Sequence, residues 1–211
     1  MSLTHSPQVT PVPGNPELQL TPLRTHEKDG FSSTLMTTPV HLGTHMDAPY
    51  HFVRNGRTID QIPVSTFFTR AYLCDIRERV RPRNEITMAD LEICGVPSPE
   101  ELAGKALILY SGWAQEMWEH ADFYTNNPCL AEETSRWLAE TGLVMLGVDF
   151  AVDAETPYPN HQILLGASVL LVENLVNLDQ IGADEFDLIA LPVKIAGGDG
   201  GLTRAVAVLK A

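Results

Sequence analysis

Short apolar runs alternate with amphipathic stretches along most of the chain, and this pattern predicts strands interleaved with helices. The predicted strands are almost uniformly apolar, as in sheets covered on both faces, and they lie at 71–76, 106–110, 143–150 and 167–172. From about residue 187, two closing strands are predicted, joined by the glycine-rich run 197–201. The mixture indicates an α/β or α+β domain, but it does not give the order in which the strands pair.

Two helices are predicted from the residues at their ends. The first begins after Thr87, which is followed three residues later by an aspartate, and it stops at Gly95. The second is predicted to have Asn127 as its cap and Pro128 as its first helical residue, and to end at Gly142.

The chain is long enough to form a core of its own. It has 211 residues, of which 44% are hydrophobic, and a chain of this size buries about 70% of the surface that it exposes when unfolded. Residues 1–22 are rich in proline, which blocks helix formation, so we predict an extended N-terminal arm there. Residues 23–211 are predicted to form a single domain.

The overall charge argues against several classes of partner. The formal net charge is −13 and no cluster of Lys or Arg offsets it, so a nucleic acid or an anionic membrane would repel the protein. The sequence shows no secretory signal and no apolar run of about 18 residues. Three cysteines without CxxC spacing fit a reducing compartment. We therefore expect a cytoplasmic protein that acts on a small molecule and binds neither nucleic acid nor membrane.

The run HLGTHMDAPYHF, at 41–52, holds three of the seven histidines of the chain and an aspartate. Four polar side chains share one face if this run is extended, namely His41, His45, Asp47 and His51. Four polar groups on one face are not a core pattern. A helix is disfavoured by the glycine and the proline within the run.

A straight strand would nevertheless fail to bring these groups together. It would separate His41 from His45 by about 13 Å, and His51 would be about 20 Å further along. We therefore predict that the backbone bends at Gly43 and again around Pro49.

Imidazole and carboxylate groups are ligands for zinc, manganese or iron(II), and one carboxylate can bridge two ions. The cluster predicts His41, His45 and Asp47 as metal ligands. The role of His51 stays open among a further ligand, a residue that supports a ligand, and a catalytic acid or base.

The same run resembles HxGTHxDxPxH, the signature of the cyclase-like family of metal-dependent hydrolases, which includes bacterial kynurenine formamidase and isatin hydrolase. The resemblance extends from about Val12 to the C-terminus, and four further segments carry it: VPGNP at 12–16, YSGW at 110–113, GVDFAVD at 147–153 and KIAGGDGGLTRAVAV at 194–208. Two positions depart from the family pattern, since Asn15 replaces an aspartate and Ala151 replaces a serine.

The resemblance implies a swivelling β/β/α domain with a barrel-like β core, of the kynurenine formamidase type. It implies that His161 and Glu173, twelve residues apart, hold a second metal that shares Asp47. The cofactor is then two divalent ions, zinc or alternatively manganese. It further implies an acid–base role for His51 and a homodimer or higher homo-oligomer.

Several residues have alternative interpretations. Without the resemblance, His161 would be read as a loop histidine and Glu173 as an exposed helix residue, although a carboxylate after an apolar run is costly to bury unpaired. Asp149 and Asp153 match acidic family positions and are candidates for structural or supporting roles. Trp113 could either line an aromatic substrate pocket or belong to the core.

Two smaller expectations concern the neighbours of these residues. Tyr50 and Phe52 flank His51 and, if the run alternates, are predicted to anchor the loop in the core. The run 197–201 lacks the lysine and hydroxyl residue of a phosphate-binding loop, so it is predicted to be a tight connection between strands.

The predicted function is metal-dependent hydrolysis of an amide C–N bond. The substrate that the resemblance implies is an aryl formamide, with N-formylkynurenine cleaved to kynurenine and formate. A cyclic-amide hydrolase of the isatin type remains an alternative, as does a non-catalytic metal-binding regulatory protein. A partner-binding domain without metal is disfavoured by the even spacing of the cluster.

Overall fold

A β-barrel forms the centre of the protein. The computed structural model describes residues 1–209, and within them seven strands close into the barrel: β3 (His45–Asp47), β4 (Phe68–Asp75), β6 (Ala106–Tyr110), β8 (Met145–Val148), β9 (Leu170–Glu173), β10 (Glu185–Pro192) and β11 (Gly200–Val208). The remaining strands form two small sheets: β1 (Gln19–Arg24) with β2 (Ser33–Thr37), and β5 (Glu85–Ile86) with β7 (Cys129–Leu130).

Three of the seven strand pairs of the barrel are parallel and four are antiparallel. The strand order is β10–β11–β3–β9–β8–β6–β4, and β4 pairs with β10 to close it. The pairs β4–β6, β6–β8 and β8–β9 are parallel, whereas β3, β10 and β11 run antiparallel to their neighbours. The predicted mixed α/β fold with a barrel-like core is confirmed, as are the predicted strands and the closing hairpin.

Alternate residues along the barrel strands enter two different cores. In β6, Ile108 packs inside the barrel with Met46 and Val172, while Leu107 faces outward and packs in the layer that contains the helices. The helices are α1 (His26–Asp29), α2 (Met88–Ile93), α3 (Pro99–Leu102), α4 (Trp113–Met117), α5 (Glu132–Glu140) and α6 (Pro159–Gly166). Within residues 1–209, no helix is long and apolar enough to span a membrane.

The two predicted helices have different outcomes. The first is confirmed, because Thr87 caps α2 and exchanges hydrogen bonds with Asp90. The start of the second was wrong, since α5 begins at Glu132. Asn127 is buried and uses its amide to bond the backbone of Ala151, which leaves the next residues free to form β7.

The N-terminal segment is hydrogen-bonded to β11 and to the residue that precedes β3. The Ser2 hydroxyl accepts a hydrogen bond from the backbone of Ala205, and Leu3 donates from its backbone to Thr44 Oγ1. Val9 and Leu18 are buried. The boundary between an arm and a domain after residue 22 stays a prediction, and β1 runs across it.

Gly200 lies where the hairpin meets the short strand β3. It pairs with Asp47, and a Cβ atom here would lie 2.6 Å from the Met46 carbonyl oxygen and 2.8 Å from Cε1 of His41. We therefore expect Gly200→Ala to force the strands apart and to lower the free energy of unfolding by about 1–3 kcal/mol. Chemical denaturation measures the change.

Gly166→Ala is the matched control for this prediction. Gly166 ends α6, and a Cβ atom at this position would have no heavy atom within 4 Å. We expect this variant to be as stable as the wild type or up to about 1 kcal/mol more stable. Equal stability of Gly200→Ala and the wild type would contradict the argument.

Candidate metal centre and active site

The histidine-rich run bends where its sequence suggests. Gly43 has a φ of +60°, which favours glycine, and the chain then enters β3 and turns through a 3-10 helix at Pro49–His51. His5 packs against the first bend: its Nε2 donates to the Leu42 carbonyl, and a Cβ on Gly43 would lie 2.9 Å from that nitrogen. The two bends bring the predicted polar residues into one cluster.

The first group of ligand atoms surrounds one oxygen of Asp47. His41 Nδ1 lies 2.7 Å from Asp47 Oδ1, and His45 Nε2 lies 3.3 Å from the same oxygen. His41 is partly exposed, whereas His45 and Asp47 are buried. The three residues each offer a ligand atom, and these atoms lie within 4.8 Å of one another.

The second group faces the other oxygen of Asp47. His161 Nε2 lies 3.6 Å from Asp47 Oδ2 and 3.6 Å from Glu173 Oε1. Glu173 is directly opposite His45 in the β3–β9 pair, and its Oε2 lies 3.8 Å from His45 Nε2. Asp47 therefore lies between two pairs of residues.

These residues fit a divalent cation. Among the residues that the structure describes, Asp47 Oδ2 is buried without a hydrogen-bond partner, which is costly unless a cation faces it. His45 donates from Nδ1 to the Gly43 carbonyl, and His161 Nδ1 lies 2.7 Å from Asp153. Both imidazoles thus direct Nε2 into the cluster, as metal-binding histidines do.

The carboxylates of the cluster raise the pKa of His41, His45 and His161, although burial opposes the shift. Burial alone would lower the pKa of His41, but the carboxylates of Asp47 and Asp199 raise that pKa to about 9. Burial raises the pKa of Glu173 above its ordinary value. Ligands must lose their protons to bind a metal, so metal binding here releases protons.

His51 lies beside the ligand groups on the cavity side. Its ring stacks on His41 with centroids 3.9 Å apart, and its Nδ1 is 3.7 Å from Asp199 Oδ2. Burial lowers the pKa of His51 to about 4, although the carboxylate of Asp47 opposes the shift. The imidazole is therefore neutral at physiological pH.

The cluster opens into a cavity of about 840 Å³. Phe52 lines this cavity with its ring stacked on His161 at a centroid distance of 4.8 Å, and it also packs against the core, as expected. The same expectation was wrong for Tyr50, which is exposed. The 3-10 turn at 49–51 breaks the alternation on which that expectation depended. Trp113 does not line the cavity: it is buried in the core, and its indole donates to the Phe123 carbonyl.

A family model described as putative cyclase matches residues 1–154, well over half of the chain. The chain belongs to the cyclase family. Among curated relatives, the kynurenine formamidase of Salinibacter ruber is 30% identical over 98% of this chain and 94% of its own. That of Erythrobacter litoralis is 29% identical over 81% of this chain and 74% of its own. The protein is therefore a hydrolase of the cyclase family, as predicted.

Solved structures support the same fold. An isatin hydrolase bound to the product analogue thioisatinate has a TM-score of 0.87 and 21% identity, covering 100% of this chain and 91% of that one. Isatin hydrolase A from Ralstonia solanacearum has a TM-score of 0.82 and 22% identity, covering 98% of this chain and 89% of that one. Because both identities are below 25%, the structural similarity shows only that the fold is shared.

Sequence reasoning missed Asp199. This residue sits in the connection between β10 and β11, which spans residues 193–199 and is longer than the tight turn expected, and its carboxylate lies 3.1 Å from His41 Nε2. The backbone of Asp199 also accepts a hydrogen bond from Ala48. A single aspartate between two pairs of glycines is the feature that could have identified it.

The two acidic positions shared with the cyclase family have different environments. Asp149 is buried and accepts hydrogen bonds from the backbones of Ser111 and Gly112, so it holds the turn after β6. Burial raises its pKa to about 6. Asp153 instead contacts His161 and accepts from the backbones of Asn160 and His161 at the start of α6.

We expect Asp153→Asn to weaken metal binding by about 10–100-fold, because the neutral amide no longer holds the imidazole of His161 as a carboxylate does. Competition with a coloured chelator measures the affinity. Asp184→Asn is the control, since it removes one exposed carboxylate elsewhere on the surface and should leave the affinity unchanged. Equal affinities for the two variants would contradict the supporting role of Asp153.

Proposed function

We propose that the substrate of this metal-dependent amide hydrolase is an aryl formamide, such as N-formylkynurenine, which is cleaved to kynurenine and formate. One observation carries the proposal: ligand groups surround both oxygens of Asp47 at the base of a cavity that also contains His51 and aromatic side chains. The 30% identity to a kynurenine formamidase over nearly the whole chain supports this substrate class.

The proposed cofactor is two divalent ions, zinc or alternatively manganese, that share Asp47. His41 and His45 would hold one ion, and His161 and Glu173 would hold the other. The distances of both groups from the two oxygens of Asp47 support this division. When bound, such ions supply Lewis-acid chemistry, activating water as a nucleophile and polarising a carbonyl group.

His51 is proposed to move the proton that hydrolysis requires. An aryl amide releases its nitrogen poorly as an anion, so a proton must reach that nitrogen as the C–N bond breaks. Neutral His51 accepts a proton from the attacking water at Nε2 and donates it to the leaving nitrogen. Asp199 faces Nδ1 and stabilises the imidazolium that forms between these two steps.

Aromatic side chains support an aryl substrate. Phe52 and Tyr158 both line the cavity, with ring centroids 6.0 Å apart. They offer apolar surface next to the ligand groups, where the ring of an aryl amide can pack. An isatin-type cyclic amide also carries an aryl ring and remains the alternative within the same reaction class.

The first test is the hydrolysis of N-formylkynurenine by purified protein, followed by absorbance. We expect activity to disappear when the protein is treated with a chelator and to return when zinc or manganese is added back. Isatin is assayed in parallel under the same conditions. Turnover of isatin but not of N-formylkynurenine would favour the alternative, and no turnover of either by metal-loaded protein would contradict the proposal.

A pair of variants separates proton transfer from metal binding. We expect His51→Ala to keep its metal but to lose turnover by about a hundredfold or more, because the proton carrier is gone. Asp47→Ala should lose both metal and turnover, as measured by elemental analysis and the same assay. His120→Ala, which removes an exposed histidine outside the cavity, is the control. Loss of metal in His51→Ala would instead make His51 a ligand.

The homodimer or higher homo-oligomer and the cytoplasmic location stay predictions. The exposed apolar residues of the β1–β2 hairpin are compatible with contacts to a second copy: Leu20, Leu23, Leu35 and Met36.

A further inference from the structure

The cavity has a strongly uneven charge. Six of its lining residues are acidic: Asp47, Glu85, Glu132, Asp153, Glu155 and Glu173. Among the lining residues that the structure describes, Arg83 is the only lysine or arginine. An acidic cavity repels an anionic substrate unless a cation is placed to bind it, so this one guanidinium is the natural partner for a carboxylate.

The backbone of Arg83 adopts an unfavourable conformation that its surroundings maintain. Its φ is +61°, a left-handed value that costs a non-glycine residue about 1–2 kcal/mol. The Arg83 backbone donates a hydrogen bond to the Asn126 carbonyl, and the next residue, Asn84, accepts one from Cys129. The turn is thus fixed to the β5–β7 sheet beside the cavity. Backbone strain of this kind is often kept where a side chain has a functional position.

The guanidinium itself is not used to stabilise the fold. Its ion-pair partner is Glu155, at 3.9 Å, and the side chains of Arg83 and Glu155 are 69% and 81% exposed. An exposed pair at this distance contributes little to stability because solvent screens it. Arg83 therefore has its hydrogen-bond donors available for a ligand, and Glu155 stands next to it with the opposite charge.

We propose that Arg83 determines substrate specificity by binding the α-carboxylate of an amino-acid substrate, while Glu155 binds its α-ammonium group. This inference rests on the proposed function, because N-formylkynurenine carries such an amino-acid end in addition to its formamide. Guanidinium and carboxylate groups form paired, charge-assisted hydrogen bonds. The metal centre at Asp47 would then act on the formamide, while Arg83 and Glu155 recognise the amino-acid end of the substrate.

The proposal predicts different effects of losing Arg83 on charged and on neutral aryl amides. Formanilide has the same formamide and aryl ring but no amino-acid end, and isatin also lacks a carboxylate. Loss of Arg83 should therefore impair N-formylkynurenine and leave the neutral substrates unaffected. A role of Arg83 in folding alone would impair all of them together.

The experiment compares Arg83→Gln, which removes the charge but keeps much of the side-chain length, with Arg81→Gln. Arg81 is exposed in the same turn and does not line the cavity, so its variant makes the same change in net charge. We expect Arg83→Gln to raise KM for N-formylkynurenine about tenfold or more with kcat nearly unchanged. Its kcat/KM for formanilide should stay within about twofold of the wild type. Arg83→Lys should restore part of the loss.

A binding measurement tests Arg83 independently of turnover. Titration calorimetry of metal-loaded protein with kynurenine should show affinity about tenfold weaker in Arg83→Gln than in the wild type or Arg81→Gln. Unchanged KM and unchanged kynurenine affinity would overturn the inference, as would an equal loss for formanilide. If the wild type binds kynurenine through Arg83 yet hydrolyses neither formamide, the proposed function fails and the specificity site stands. If it does not bind kynurenine, the inference about Arg83 fails.

Discussion

The buried carboxylate of Asp47 is the constraint on which the rest of the site depends. It lies on a strand of only three residues, between β9 and β11, and its side chain is almost completely buried. A buried charge is costly unless opposite charges or hydrogen-bond donors contact it. His41 and His45 approach one oxygen and His161 approaches the other, so two separate backbone segments, 41–47 and α6, are positioned with respect to a single side chain.

The barrel makes this arrangement possible because alternate residues of a strand point to opposite sides. Met46 enters the interior of the barrel, so His45 and Asp47 on either side of it point outward. Glu173, opposite His45 on β9, follows the same alternation. Gly200, opposite Asp47, has no side chain and leaves room for His41. The site is thus an outer face of the barrel, which α6 covers with His161.

The local part of the site could be predicted from the sequence because it depends on spacing within one run. The side chains of His41, His45 and Asp47 can meet only if Gly43 allows a bend, and this bend follows from chain geometry. Contacts between distant segments do not follow in the same way. His161 and Glu173 were predicted only through family resemblance, and Asp199 was missed because strand pairing brings it to His41 across 158 positions. The predicted cap at Asn127 failed for a similar reason, since its amide bonds a distant backbone segment instead of a helix end.

Two kinds of positive charge can compensate the acidic residues at the centre of the cavity. Protons are one kind, since the neighbouring carboxylates raise the pKa of His41 to about 9, and divalent ions would be the other. The fold itself brings the ligand atoms together, so the centre is preorganised for metal. Arg83 lines the cavity outside this cluster and supplies a guanidinium, a positive charge of a different kind. A cationic side chain set apart from the ligand cluster gives the cavity a positively charged position away from its acidic base.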